Sequence, residues 1–405
     1  MKTSPRTCVA ADTQPSLRVL AMRLLACERS DVPIIADTIS AADGWRDVAS
    51  LADRWNVFPA LAARIKGGVD RLPEEEAAAL ARKTSLQFFR TTVCLRAGCE
   101  ALEALSRARI PAVAFKGAAA IAHLHRGTRE RMIRDVDVFI RPRDLHDALH
   151  TLATVGFTRS IAEGTIDDLT SFVANSPGAA GNHAISLSNR HDAQIDLHWR
   201  LGGFDAEALI GSAREMDVLT ARIPVVSPAY GLLLTVHHAL RNDLVPDEIA
   251  RDILDCGGWL RLLEGDKAAM EHACTVASTT GLSEALGAMA ICVRRLGGSA
   301  PEHLGKGTAA TTLADLYFRQ LEEGAINTDL AYLGSRRAAG QILAGAGRGW
   351  RGYRRMMRAF EARQGEPRLS LMGRAIRLIR SAASLSPGHW RQLRELSRAK
   401  DRLTP

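Results

Sequence analysis

The chain has 405 residues, and its 46% hydrophobic and 24% charged content are those of a globular protein with a large buried core. No uninterrupted apolar run approaches the ~20 residues that cross a bilayer, which excludes an integral membrane helix on sequence grounds. The net charge of +8 is unevenly placed, because residues 336–405 carry sixteen Arg and one Lys against four acids. The basic character therefore belongs to this C-terminal segment, and the rest of the chain is slightly acidic.

The seven cysteines are scattered along the chain, and none forms a C-x-x-C pair. An odd number in a chain of this length indicates free thiols in a reducing compartment rather than a disulfide framework. Zinc-ligand spacing is absent. No apolar segment follows a basic start, so we expect no secretory signal and a cytoplasmic location.

Helical periodicity dominates the first hundred residues. Leu17, Leu20 and Leu24 recur at helix spacing, and similar patterns follow to about residue 109. Pro73 followed by three glutamates is typical of a helix N-terminus, since the missing N–H and the negative charges both suit the first turn.

A short α/β region follows this helical part. The residue patterns predict two apolar strands, a hairpin with its turn at 189–192, and a further short strand after a helix stop at Gly156. Helices are expected between the strands, over 118–125 and from Pro142 onward. The predicted strands are 112–115, 135–140, 157–158, 184–188 and 194–199.

From Ser227 onward the pattern is helical again. We therefore predict an α+β fold, with a small mixed β-sheet core flanked by helical regions on both sides. The predicted organisation is a helical N-terminal region (1–109), an α/β core (110–226), a helical C-terminal domain (227–335) and a basic, Arg-rich helical tail (336–405).

Three carboxylates mark the predicted core. Asp135 and Asp137 are two residues apart on one strand, so they point to the same face. Asp196 lies on the hairpin. Because a buried, unpaired carboxylate is costly, such groups usually have a cation as partner, and an oxygen-rich site suits Mg²⁺ or Mn²⁺. We predict all three as metal ligands and catalytic residues, with Asp196 also suited to accept a proton from a hydroxyl group.

Four other residues are candidates for binding a phosphorylated substrate. Lys116 and Gly117 follow a strand and precede a helix, where a close backbone approach and the helix N-terminus favour an anion. Arg131, just before the acidic strand, suits the charge of a triphosphate. His198 shares a strand face with Asp196, where it would orient a metal-bound carboxylate or contact a nucleotide; a purely structural histidine is an equal alternative. His238, Asp252 and Asp255 are better explained as a contact between helices than as a metal site.

Together these segments resemble the uncharacterised bacterial nucleotidyltransferase family of the polymerase-β-like superfamily, over roughly residues 15–330. The resemblance implies a nucleotidyltransferase core at 110–226 and an NTP substrate, with ATP the expected donor of NMP to a hydroxyl on a small molecule, peptide or protein. The superfamily's Gly-Gly or Gly-Ser turn reads Lys-Gly here, so Lys116 would replace some contacts to the triphosphate. The segments that carry the resemblance are Phe115-Lys116-Gly117, Arg131, Asp135-Val136-Asp137-Val138-Phe139-Ile140, Gly156-Phe157 and Ile195-Asp196-Leu197-His198-Trp199.

Three alternatives remain open. The same metal site would serve a phosphotransferase that modifies a peptide or saccharide, or a nucleotide-binding partner protein without catalysis; a full set of three acids argues against the latter. A nucleic-acid enzyme is disfavoured, since few aromatic residues interleave with the arginines of the tail. The tail itself suits contact with phosphate groups or an anionic membrane surface.

Overall fold

In the computed structural model, the strands of a six-stranded mixed β-sheet are preceded and followed along the chain by groups of helices. The structure describes residues 15–65, 73–125, 130–158, 184–241 and 246–323. The predicted α+β class is confirmed. The tail at 336–405 and the end of the predicted C-terminal domain lie outside the described residues.

Five α-helices precede the sheet in the part of the chain that the structure describes. Pro73 precedes the longest of them, whose first turn contains three glutamates, as predicted. This 34-residue helix packs along β-strands of the sheet described next and serves as its main support. The five helices are α1 (Leu17–Ala26), α2 (Val32–Ala41), α3 (Trp45–Arg54), α4 (Phe58–Ile65) and α5 (Glu74–Arg107).

The strands are arranged in the order β3-β4-β2-β1-β6-β5. The pairs β1–β2, β3–β4 and β5–β6 are antiparallel, whereas β2–β4 and β1–β6 are parallel. The first four strands occupy the segments expected from the sequence. The strands are β1 (Ala112–Phe115), β2 (Asp135–Ile140), β3 (Ala184–Ser188), β4 (Gln194–His198), β5 (Arg214–Val218) and β6 (Ala221–Val225).

Two strands were not predicted from the sequence, and one predicted strand is not seen where its segment is described. The strands β5 and β6 were missed, because β5 is rich in exposed charged residues and β6 contains Pro224, which has no N–H to donate to a neighbouring strand. The short strand after Gly156 is absent from the described part of that segment. Instead, Gly156 adopts φ of 91° at the end of a helix, and Phe157 is fully buried.

The remaining helices cover the sheet and form the C-terminal part. A single cluster of buried residues extends from Leu20 through Phe139 to Leu321, so all these elements share one core. No helix within the described ranges combines the length and apolarity needed to cross a membrane. The helices are α6 (Lys116–Leu124), α7 (Leu145–Thr154), α8 (Ala206–Gly211), α9 (Pro228–Arg241), α10 (Pro246–Glu264), α11 (Lys267–Thr279), α12 (Ser283–Arg295) and α13 (Thr308–Glu323).

The predicted boundaries at 109/110 and 226/227 both fall between elements, the first between α5 and β1 and the second between β6 and α9. The division of the chain into separate regions stays a prediction, since the core is continuous across both points.

Candidate metal and nucleotide site

The parallel pairing of β2 with β4 places acids of the two strands side by side. Asp137 is the register partner of Asp196, and Asp135 is the partner of Gln194. Neighbouring strands lie about 4.8 Å apart, and register partners share a face of the sheet. Two acids from distant parts of the sequence therefore meet on one face.

Asp137, Asp196 and His198 form a group of possible metal ligands within the described part of the chain. One ligand atom from each lies within 4.8 Å of the others. Asp137 and His198 are buried, whereas Asp196 is half-buried, so the group is reached from the side of Asp196. Asp135, the remaining acid predicted to bind metal, is not a member of this group. The geometry thus brings together two of the three predicted acids and adds the histidine.

Asp135 lies beside the group at the start of β2. Burial, followed by the charges of Asp137 and Asp196, raises the pKa of Asp135 to about 6. Asp135 is therefore electrostatically coupled to Asp137 and Asp196. Its role as a metal ligand stays a prediction.

Lys116 reaches into the group from β1. Phe115, the last residue of β1, pairs with Asp137, and Lys116 follows it as the first residue of α6 with φ of 48°. Its Nζ lies 2.6 Å from Oδ1 of Asp137. The Nε2 of His198 donates to the same oxygen at 2.8 Å, and the His198 ring meets Phe115 edge-on with ring centroids 4.9 Å apart. Asp137 thus holds two donors on one oxygen.

These contacts determine the charge state of the pair. Burial alone would raise the pKa of Asp137, but the Lys116 charge and the His198 hydrogen bond hold it well below its usual range. Burial alone would lower the pKa of Lys116, but the charges of Asp137, Asp135 and Asp196 raise it. Asp137 is therefore an anion and Lys116 a cation at neutral pH.

Gly117 lies where α6 packs against the segment before β2. A Cβ atom at this position would come within 2.5 Å of Cγ2 of Ile133. Close packing therefore accounts for the glycine, and its predicted contact with phosphate stays a prediction.

Arg131 makes a two-pronged ion pair with Asp255 of α10. Its Nε and Nη2 lie 3.0 and 2.7 Å from the two carboxylate oxygens, and both side chains are about nine-tenths buried. Asp252, one turn earlier in α10, accepts from His238 of α9 at 2.9 Å. The expected helix contact is therefore present. Arg131 connects this contact between helices to β2. The contacts of Arg131 therefore favour a positioning role over the predicted binding of triphosphate.

Two further residues beside the acids were not anticipated. Gln194 donates to Oδ1 of Asp196 at 3.1 Å, and the charge of Arg251 on α10 lowers the pKa of Asp135. The sequence offered a weak signal for both, since Gln194 precedes Asp196 by two residues and Arg251 adjoins Asp252. Only the packing of α10 near the sheet shows that Arg251 belongs to this region.

A sequence profile of a family described as uncharacterised nucleotidyltransferase matches residues 41–298, more than half of the chain. The chain is a member of this nucleotidyltransferase family. The match extends from just before α3 to just after α12 and includes every candidate site residue named above. A search of curated proteins found no match.

The residues of this nucleotidyltransferase fit a divalent metal. Two carboxylates supply the oxygen ligands that Mg²⁺ and Mn²⁺ prefer, and the imidazole adds a nitrogen donor. The acids on this face carry more negative charge than Lys116 alone balances, so a further cation would be stabilised there.

Proposed function

We propose that this nucleotidyltransferase transfers NMP from an NTP, with ATP the expected donor, to a hydroxyl group of a small molecule, peptide or protein. Asp137 and Asp196 would hold Mg²⁺ or Mn²⁺, with His198 and Asp135 completing the site. The observation that carries the proposal is the convergence of Asp137, Asp196 and His198 to within 4.8 Å in a chain of this family.

The reaction assigns a task to each side chain. The acceptor oxygen attacks the α-phosphorus, the bond from that phosphorus to the bridging oxygen breaks, and pyrophosphate leaves. Half-buried Asp196 suits acceptance of the hydroxyl proton, because it is the acid nearest to solvent within the group. Lys116 supplies positive charge to the phosphates. A bound divalent metal would neutralise charge on the phosphate oxygens.

Transfer of label from ATP tests this proposal. The full chain is incubated with α-³²P-ATP or γ-³²P-ATP, with Mg²⁺, Mn²⁺ or EDTA, and with candidate acceptors that include the protein itself. We expect metal-dependent transfer of the α label. Transfer of the γ label would show instead a phosphotransferase that uses the same site, and metal-dependent ATP binding without transfer of either label would show a binding protein.

Two substitutions connect any activity to the site. Asp137→Asn and Asp196→Asn should each lower the rate on the order of 10²-fold or more, because each removes a carboxylate charge that would hold the metal at the reacting phosphates. Asp217→Asn, at an exposed position of β5, is the matched control and should retain the wild-type rate. Full activity in Asp137→Asn would overturn the proposed site.

The other parts of the proposal concern location and the tail. The proposed location is cytoplasmic, which the odd number of scattered cysteines favours. The proposed contact of residues 336–405 with phosphate groups or an anionic membrane is separate from catalysis. A chain that lacks 345–405 should therefore keep metal-dependent ATP binding, and loss of that binding from a folded protein would place the tail in the active site.

A further inference from the structure

A single oxygen of Asp137 has two hydrogen-bond donors. Oδ1 accepts from Nζ of Lys116 at 2.6 Å and from Nε2 of His198 at 2.8 Å. A carboxylate oxygen has two lone pairs, so these two donors occupy both. The Asp137 side chain is only 6% exposed, which leaves little room around this oxygen for a further ligand.

The same carboxylate belongs to the group that would hold the metal. A divalent cation bound between Asp137, Asp196 and His198 would lie close to the ammonium group of Lys116. Two cations at such short range repel each other strongly, most of all where burial reduces the screening by water. Lys116 and a metal bound through this oxygen would therefore compete for Asp137.

The Lys116 side chain can leave its ion pair with Asp137. Its side chain is 27% exposed, whereas that of Asp137 is almost fully buried, so part of the Lys116 side chain reaches solvent. The four-carbon stem of lysine is flexible, and its ammonium group binds phosphate as a point charge. The phosphates of an incoming nucleotide would thus provide a second partner for the displaced group.

We propose that Lys116 is the built-in counter-ion of Asp137, that a divalent metal displaces it, and that the displaced ammonium binds the phosphates of the NTP. This inference rests on the proposed metal site. Metal and nucleotide binding are then mutually dependent. The metal or the nucleotide alone must break the Lys116–Asp137 ion pair, whereas both together replace that pair with a metal–Asp137 contact and a Lys116–phosphate contact.

The proposal predicts effects of opposite sign in one variant. Lys116→Met should bind Mn²⁺ more tightly than wild type, by roughly tenfold, because the competing charge is gone. The same variant should bind ATP more weakly, by a similar factor, because a phosphate contact is lost. A residue that only stabilises the fold would weaken both, and a residue that only binds phosphate would leave Mn²⁺ affinity unchanged.

The experiment measures free Mn²⁺ by EPR during titration of the full chain, and ATP binding by calorimetry in the presence of Mn²⁺. Lys116→Gln serves as a second variant, since its amide can still donate to Asp137 without carrying charge. Lys83→Met, which removes an exposed lysine that pairs with Asp53, is the matched control and should leave both affinities unchanged. Thermal melts in EDTA show which variants are folded.

Three outcomes are distinguishable. Tighter Mn²⁺ binding together with weaker ATP binding in folded Lys116→Met or Lys116→Gln confirms the exchange. Unchanged or weaker Mn²⁺ binding in these variants, with binding abolished by Asp137→Asn, overturns the competition but leaves the metal site. Absence of Mn²⁺ binding in wild type and in both Lys116 variants overturns the competition together with the metal site on which it rests.

Discussion

Asp137 of β2 and Asp196 of β4 are register partners in two parallel strands, although they lie far apart in the sequence. The antiparallel pairing of β1 with β2 brings Lys116 to the same place from the other side of Asp137. The site is therefore a product of three adjacent strands, and Asp137 on the middle strand is its most buried acid.

The contact between His198 and Asp137 leads to the first prediction. His198→Ala should weaken Mn²⁺ binding by about 10–100-fold, because a ligand or its orienting partner is lost. His198→Gln should recover part of that loss, since its amide nitrogen can take the position of Nε2. His146→Ala, at an exposed site on α7, is the control. Wild-type Mn²⁺ affinity in a folded His198→Ala protein, measured by EPR, would leave His198 with a structural role alone.

The ion pair between Arg131 and Asp255 leads to the second prediction. Arg131→Met should lower the free energy of unfolding by about 3–5 kcal/mol, because it leaves a buried carboxylate without its partner. The double variant Arg131→Met/Asp255→Leu should recover most of this loss, since no unpaired charge remains buried. Urea unfolding of both proteins measures the effect.

The same double variant separates a positioning role from the predicted contact with triphosphate. If Arg131 only links the β2 segment to α10, the folded double variant keeps its affinity for ATP in the presence of Mn²⁺. A loss of ATP binding of tenfold or more from the folded double variant would assign Arg131 to the nucleotide after all.

The close approach of Gly117 to Ile133 leads to the third prediction. Gly117→Ala should destabilise the protein by about 1–3 kcal/mol, because the new methyl group overlaps Cγ2 of Ile133. In an Ile133→Ala background the added cost of Gly117→Ala should largely vanish, since the overlapping atom is gone. Gly211→Ala, where a Cβ atom has open space, is the control. If ATP affinity falls in the stable double variant, Gly117 also contacts phosphate.

The fourth prediction concerns His123 at the end of α6. Burial lowers the pKa of His123, although its Nε2 donates to the carbonyl oxygen of Val226 at 3.0 Å. Around its ring lie Trp259 of α10 and a cavity of about 470 Å³ that Arg214, Asp266 and His272 also line. Burial and the hydrogen bond to Val226 are the two causes that act on the pKa of His123.

The sign of the pH effect follows from linkage. Because the folded pKa lies below the unfolded value of about 6.5, the unfolded chain binds the proton more readily. The contribution of His123 to stability is therefore complete above about pH 6.5 and declines as the pH falls toward the folded pKa. His123→Gln should remove this decline, so the difference in unfolding free energy from wild type should change between pH 8 and pH 5.5. An equal difference at both pH values would contradict the prediction.

Local pattern was enough to predict much of the fold. The strands β1 and β2 and the β3–β4 hairpin follow from alternation, apolar runs and turn residues, which are properties of neighbouring residues. The pattern failed for β5 and β6, where charged residues and Pro224 obscure it. These two strands exist because pairing with each other and with β1 satisfies their backbone groups, and that pairing is invisible in the local sequence.

Strand periodicity is enough to place Asp135 and Asp137 on one face, since strand residues two apart share a face, and the order of motifs indicated the nucleotidyltransferase family. Which side chains meet depends on the tertiary structure. The parallel register of β2 and β4 places Asp137, Asp196 and His198 together. Arg131 forms an ion pair with Asp255 of α10, and the ammonium group of Lys116 pairs with Asp137. Strand register and burial arise from contacts between distant segments, so no local pattern contains them.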